Sequence, residues 1–173
     1  MNFSNIKENR IRKKFEKSLS KQSNNRIVSQ KEIISVGILT LDNTSSKINL
    51  QSEIESTLEL KNAKIYSFKK FNKNDEVSFK HFSEKNLSWS GEFNEPTFQS
   101  FLEQPFDLLI GYFNEKHLFL EKAVFASKAT FKAGFSDVNS KLYELEISTD
   151  LENVNQFSSE LKKYLKILKK LKN

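Results

Sequence analysis

The chain has 173 residues, a formal net charge of +6 and no cysteine, which excludes disulfides, thiolate nucleophiles and iron–sulfur clusters. Hydrophobic residues make up 37% of it and 16 residues are phenylalanine, a composition that excludes intrinsic disorder. No apolar run is as long as the roughly 18 residues that a membrane-spanning helix requires. The first residues are charged where a signal peptide is apolar. We therefore expect a cytoplasmic globular protein of one domain.

The charge is segregated along the chain. Residues 1–31 contain nine lysines and arginines and two glutamates, a net +7, and residues 153–173 contain six lysines and one glutamate, a net +5. Between them, residues 32–152 contain 13 lysines and 19 acidic residues, a net −6. Codon usage raises the number of lysines, but it does not by itself move them to the two ends. The segregation indicates an anionic partner for both ends, and a solvated helix face is the alternative for any one lysine run.

Residues 5–21 have the apolar spacing of a helix, with Ile11, Phe15 and Leu19 on one face. The basic side chains on the remaining faces are predicted to contact the anionic partner, and they are Arg10, Arg12, Lys13, Lys14 and Lys17. Residues 20–31 are polar and predict a connector. The chain therefore divides into a basic helix with its connector at 1–31 and a single α/β domain at 32–173.

Residues 33–41 form an almost continuous apolar run rich in β-branched side chains, which predicts a strand buried on both faces of a parallel sheet. A helix at 48–60 and a strand at 63–71 complete a βαβ unit. Residues 72–95 show no helical period, and we expect 87–89 to form a short edge strand.

The second half of the chain continues the alternation. Its predicted elements are a helix from Pro96 to Pro105, a strand at 106–113, a helix at 115–128, strands at 130–135 and 142–148, and a helix at 153–172. A short polar link joins the last two strands, which predicts one antiparallel edge. The sequence therefore predicts a three-layer, Rossmann-like α/β fold with a mostly parallel sheet of about five strands and basic helices at both ends.

Polar residues follow the two most apolar strands. If those strands are neighbours, Asp42 and Thr44 share a crevice with Asn114, and in open α/β sheets ligands bind at such a position. A polar or phosphate-bearing ligand is one interpretation. A turn with a helix N-cap is the commoner explanation of the same residues.

No motif for catalysis is present, since a phosphate-binding loop and a nucleophile elbow are both absent. His81 and His117 are expected to be structural, and no metal or cofactor is predicted. Trp89, the only tryptophan, is predicted to pack onto Phe79, Phe82 and Phe93, with a recognition loop as the alternative. We expect a binding protein rather than an enzyme.

The last helix carries a second basic patch at Lys166, Lys169 and Lys170. The leading hypothesis is that the terminal helices contact RNA or a ribonucleoprotein. One alternative is a ligand-binding module at the crevice, and another is association of the last helix with an anionic membrane surface.

Several segments also resemble a known family. FDLLIGYF, SKATFKAGFSDV, the final lysine-rich KYLKIL and the short NLSWSGEF occur in the same order in a family of small Bacteroidota proteins catalogued as a domain of unknown function. The resemblance implies a cytoplasmic α/β protein and no activity. FDLLIGYF and KATFKAGF are also similar, at the level of fold, to the N-terminal Rossmann-like half of heptosyltransferase-type glycosyltransferases. That likeness implies at most a degenerate module of this kind, because this chain is too short to contain the second domain.

Overall fold

A computed structural model describes residues 2–22, 28–76, 78 and 80–172. The helices are α1 (Phe3–Lys21), α2 (Asp42–Ser45), α3 (Leu50–Leu58), α4 (Pro96–Glu103), α5 (Leu118–Ala126) and α6 (Val154–Ile167), with a 3₁₀ turn at Glu84–Asn86. The strands are β1 (Val36–Leu41), β2 (Lys64–Phe68), β3 (His81–Phe82), β4 (Leu108–Tyr112), β5 (Lys132–Phe135) and β6 (Leu145–Ile147). Part of the predicted connector, residues 23–27, lies outside the described residues, and so does Phe79.

All six strands form one sheet in the order β3-β2-β1-β4-β5-β6, and every neighbouring pair is parallel. The predicted α/β class and Rossmann-like arrangement are therefore confirmed, because this order is that of doubly wound nucleotide-binding folds. The predicted antiparallel edge is wrong. Residues 136–144 cross over one face of the sheet instead of turning back, and so β6 is parallel to β5.

The segment at 72–95 also differs from its prediction. His81 and Phe82 add a sixth strand beside β2. The edge strand expected at 87–89 is absent, since Leu87 forms only an isolated antiparallel bridge with Phe93. A strand of two residues is too short to show an alternating pattern in the sequence. β3 forms only because it pairs with β2 in the folded chain.

Helices cover both faces of the sheet. Tyr66 and Phe68 of β2 project toward α4 and α5, where Tyr66 packs on Phe98 and Phe68 stacks on Phe119. Tyr112 projects to the opposite face, where its ring meets Phe157 of α6 at 5.0 Å. Burial on both faces explains why β1 and β4 are apolar throughout.

The basic helix α1 packs onto the domain through the predicted stripe. Ile11, Phe15 and Leu19 are 1%, 5% and 5% exposed, and the ring of Phe15 meets Phe125 of α5 edge-on at 5.6 Å. Asn2 begins the helix by accepting a hydrogen bond from the Ser4 amide. The apolar stripe of α1 is therefore buried against the domain, whereas Phe3 and Ile6 near the start of the helix remain exposed.

Two glycines make room for the crossover between β5 and β6. The ring of Tyr143 lies against β4 and β5, so that a Cβ added to Gly134 or to Gly111 would approach it to 2.2 Å. The Tyr143 hydroxyl is buried and has no hydrogen-bond partner among the residues that the structure describes. Burial accordingly raises the pKa of Tyr143.

A buried carboxylate fixes the amino ends of the central strands. Asp107 accepts hydrogen bonds from the Ile34 and Ser35 amides and the Ser35 hydroxyl at 3.1, 3.0 and 2.8 Å. Lys31 adds an ion pair at 3.1 Å. Burial would raise the pKa of Asp107, but the bonds from Ser35, Ile34 and Lys31 outweigh it, and the pKa is lowered.

We expect Tyr143→Phe to leave the free energy of unfolding unchanged or to raise it by about 1–3 kcal/mol, because it removes a buried hydroxyl without a partner. Gly134→Ala should lower it by about 1–3 kcal/mol through overpacking. Urea denaturation measures both changes. The Gly134→Ala effect should shrink in a Tyr143→Ala background, and additive effects would contradict the contact.

We expect Asp107→Asn to lower the free energy of unfolding at pH 7 by about 1–3 kcal/mol. Because the folded pKa of Asp107 is depressed, its contribution is present above the unfolded pKa of about 4 and is lost as the pH falls through the folded value. Denaturation followed from pH 7 to pH 3 should therefore show a smaller acid loss in the variant. Equal acid losses would show that Asp107 is not a source of the pH dependence.

Candidate functional site

The loops predicted to share a crevice do lie at one edge of the sheet. β1 pairs with β4 from Val36 opposite Leu108 to Thr40 opposite Tyr112, so the segments after both strands leave from the same side. β2 and β3 lie on one side of β1, whereas β4, β5 and β6 lie on the other, so the order of the strands reverses between β1 and β4. Ligands of such folds bind beside this point. The turn after β1 is the short helix α2 without a glycine, so it differs from a dinucleotide-binding loop.

The predicted crevice residues are used mostly within the protein. Asp42 contacts His81, whose Nε2 lies 2.8 Å from the Asp42 Oδ1. Thr44 is 5% exposed, and its hydroxyl faces Asn43. Asn114 is half-buried. The pair with His81 was not foreseeable from the sequence, because the two residues are far apart in the chain and β3 was not predicted.

A cavity of about 560 Å³ lies next to this edge, between the first turns of α1 and the end of β2. Its volume falls within the roughly 300–1,000 Å³ that is typical of ligand pockets. Phe68, His117 and Phe119 line it from the domain, and Trp89 lines it from the loop after the 3₁₀ turn. The rings of Phe68 and Phe119 are parallel, with centroids 5.3 Å apart.

His117 combines a structural role with a place in the cavity wall. Its Nδ1 accepts a hydrogen bond from the Leu120 amide at 3.2 Å and so caps α5, while its ring meets Phe68 edge-on at 4.5 Å. Burial lowers the pKa of His117, and a hydrogen bond and the charge of Glu8 oppose this only in part. Because Nδ1 accepts the hydrogen bond from Leu120, the ring proton is on Nε2, which has no protein partner among the described residues.

Trp89 is at the tip of a tight turn. The Gly91 amide donates to the Ser88 carbonyl at 3.0 Å, the Ser88 amide donates to the Glu92 carbonyl at 2.9 Å, and Gly91 has a φ of 86°. The indole is 49% exposed, so the prediction that it packs onto the core is wrong. Phe82 and Phe93 pack with Phe98 instead, so their rings are in aromatic contacts that do not include the indole.

The loop that carries Trp89 is bound to α1. The ammonium of Lys7 donates to the Leu87 carbonyl, and that of Lys14 donates to the Ser90 carbonyl at 3.2 Å. On its other side, Gly91 lies close to Ile11 of the same helix. The basic helix and the exposed indole therefore form one surface.

The outer side of α1 is basic and exposed. Arg10, Lys13 and Lys17 have no side-chain hydrogen bond or ion pair with any described residue. Arg12 pairs with Glu8 at 3.2 Å, and Lys14 remains exposed although it binds the Ser90 carbonyl.

The predicted patch on the last helix is only partly at the surface. Lys166 and Lys169 are exposed, whereas Lys170 is 2% exposed, donates to the Ser29 carbonyl and lies 4.6 Å from the centre of the Phe131 ring. Lys170 is therefore unable to contact an anionic partner as predicted. Lys169 adopts a φ of 57°, which ends the helix and returns the chain toward the domain.

Neither a membrane span nor a metal cluster is found in the part of the chain that the structure describes. No helix there is long and apolar enough to cross a bilayer. No group of three or more histidine or acidic side chains in the same ranges is placed to hold a metal ion.

Phe68, Phe119 and Lys70 line the cavity but were not predicted from the sequence as site residues. The two phenylalanines look like ordinary core positions of a strand and a helix. The strand predicted at 63–71 continues three residues beyond Phe68, so the position of this residue at the end of β2 was not foreseen either.

We expect His117→Ala to lower the free energy of unfolding by about 1 kcal/mol, since it removes the N-cap of α5, whereas His117→Asn should keep most of that stability. Thermal unfolding monitored by circular dichroism measures the difference. Equal losses in both variants would show that the ring packing, rather than the cap, is what His117 contributes.

The comparisons with known proteins identify a family and no activity. A family model described as a family of unknown function, DUF6913, matches residues 7–168. No curated protein and no solved structure matches the chain. The match includes most of α1, the Trp89 loop and all of α6, and it confirms the resemblance to a domain family of unknown function. This chain belongs to the DUF6913 family.

Proposed function

We propose that this protein is a non-enzymatic binding protein for single-stranded RNA, which it contacts through the outer side of α1. The observation that carries the proposal is the division of this helix into two faces. Its apolar stripe is buried against the domain, while Arg10, Lys13 and Lys17 project outward without partners among the described residues. A basic face held rigidly on an acidic domain is suited to the phosphates of an RNA strand.

The distribution of charge supports an extended anionic partner that approaches the molecule from the side of α1. Residues 32–152 carry a net −6, which repels a polyanion, whereas residues 1–31 carry a net +7. Because residues 153–173 also carry a net +5, the potential draws an approaching polyanion toward α1 and α6 rather than toward the acidic residues between them. Lys166 and Lys169 at the end of α6 provide a second, smaller contact.

A membrane surface is the second candidate, favoured by the end of α6. Ile167 is 66% exposed and Leu168 is 44% exposed, next to Lys166 and Lys169. Most of the helix is unavailable for a bilayer, because Phe157, Leu161 and Leu165 are fully buried. Two exposed side chains offer little apolar area for insertion, and we therefore rank RNA first.

The experiment is a titration of a fluorescent single-stranded RNA oligomer at several salt concentrations, followed by anisotropy. We expect the triple variant Arg10→Gln, Lys13→Gln, Lys17→Gln to bind more weakly and to lower the salt slope by about 0.7 for each lost phosphate contact. Its thermal unfolding should hardly change, since exposed charges contribute about 0–1 kcal/mol each.

The matched control changes three exposed lysines of the acidic domain, Lys47, Lys61 and Lys128, to glutamine. Both variants lose three positive charges, so a purely net-charge effect would weaken both equally and contradict the proposal. Vesicles containing phosphatidylserine serve as a competitor. Binding that only vesicles compete for, and that Leu168→Ser abolishes, would assign the membrane instead.

A further inference from the structure

We infer that the cavity beneath the first turns of α1 holds a nucleobase of the bound strand, stacked on Trp89. This inference rests on the proposed function and adds a base-binding site to its phosphate contacts. Proteins that bind single strands combine a basic track for the backbone with aromatic side chains on which bases stack. Both elements meet at this cavity, where the Trp89 loop is bound to α1 through Lys7 and Lys14.

The cavity has the aromatic surface that a base requires. Phe68 and Phe119 form its stacked inner wall, and the exposed rings of Trp89 and Phe3, which are 49% and 70% accessible, border it. An exposed indole and an exposed phenyl beside one cavity form an apolar patch, and such patches mark ligand-binding grooves. Planar π-faces stack on any base, so the site does not require a particular sequence.

The charges around the cavity complement a phosphate. Lys70 lines the cavity and has no hydrogen bond or ion pair with a described residue, and Lys85 lies beside it over the ring of Phe71. The two glutamates of the lining already have partners. Glu8 pairs with Arg12, and Glu84 accepts hydrogen bonds from the Phe71 amide. Lys7, Lys70 and Lys85 outnumber Glu8 and Glu84 in the lining, which leaves it a formal net charge of +1.

His117 supplies a directed hydrogen bond. Its Nδ1 is occupied by the Leu120 amide, which leaves the Nε2 proton as a donor in an otherwise apolar wall. A few fixed polar groups in an aromatic pocket orient a ligand. A base that enters the cavity can accept a hydrogen bond from Nε2 through a carbonyl oxygen or a ring nitrogen.

Trp89 is the sole tryptophan, so its indole N–H gives a single reporter resonance. We would titrate the full chain with oligoadenylate, with an abasic oligomer of equal length and with adenosine monophosphate. Oligoadenylate should bind about tenfold more tightly than the abasic oligomer. It should shift the indole resonance, and the monophosphate should shift the same resonance at millimolar concentration.

Trp89→Ala should remove about tenfold of the oligoadenylate affinity and leave the affinity for the abasic oligomer unchanged. Tyr164→Ala is the control, because Tyr164 is also an exposed aromatic residue, at 39%, and does not line the cavity. His117→Asn, which keeps the helix cap, should weaken oligoadenylate binding with little loss of stability.

Equal affinities for the two oligomers, with no shift of the indole resonance, would overturn the base site and leave the phosphate-binding function standing. Loss of affinity in the α1 triple variant but not in Trp89→Ala would likewise overturn the base site alone. If neither oligomer binds in a salt-dependent manner, the proposed function fails. The titration with adenosine monophosphate then tests base binding in the cavity independently of the strand. An unshifted indole resonance would show that the cavity binds no base.

Discussion

β1 and β4 lie side by side in parallel, and every other strand is added outward from this pair. The Thr40 hydroxyl donates to the Tyr112 carbonyl at 2.7 Å in the fully buried centre, and Asp107 fixes the amino ends of the two strands. Because both strands are buried on both faces, no polar alternation interrupts them. Their carboxyl ends are brought together, and the candidate site lies beside them.

The docking of α1 connects the charge pattern to this edge of the sheet. A helix with only three buried side chains would be weakly attached, but Lys7 and Lys14 also bind carbonyls of the Trp89 loop. Two lysines are thereby used as structural donors rather than as free charges. The remaining basic side chains of α1 stay at the surface, and the helix forms one wall of the cavity.

Much of the fold could be predicted, since strong local periodicity identifies elements of ordinary length. The apolar runs at 33–41 and 106–113 predicted β1 and β4, and the spacing of Ile11, Phe15 and Leu19 predicted the buried face of α1. The two-residue strand β3 and the parallel direction of β6 were missed. Both depend on how distant segments pair, and a short crossover resembles a turn in sequence.

The candidate site was predictable only in outline. The sequence placed Asp42, Thr44 and Asn114 at the ends of strands, and the pairing of β1 with β4 brings their segments to one edge. It could not show that Asp42 would bind His81, or that the cavity would be lined by Phe68 and Phe119 beneath α1. These are contacts between residues far apart in the chain, and no local pattern encodes them.

Composition and periodicity by themselves determined the α/β class, the segregation of charge and the two faces of α1, because each of these depends on neighbouring residues. Tertiary structure alone decided which charges remain free. Lys170 has the same surroundings in sequence as Lys169, yet the turn after α6 buries it against Phe131 and the Ser29 carbonyl. Trp89 is surrounded by aromatic residues in the sequence, but the hydrogen bonds of its turn hold it outward. Phe82, Phe93 and Phe98 pack with one another and not with the indole. The exposure of a side chain depends on which distant segments pack around it, and for Lys170 and Trp89 only the tertiary structure determined this.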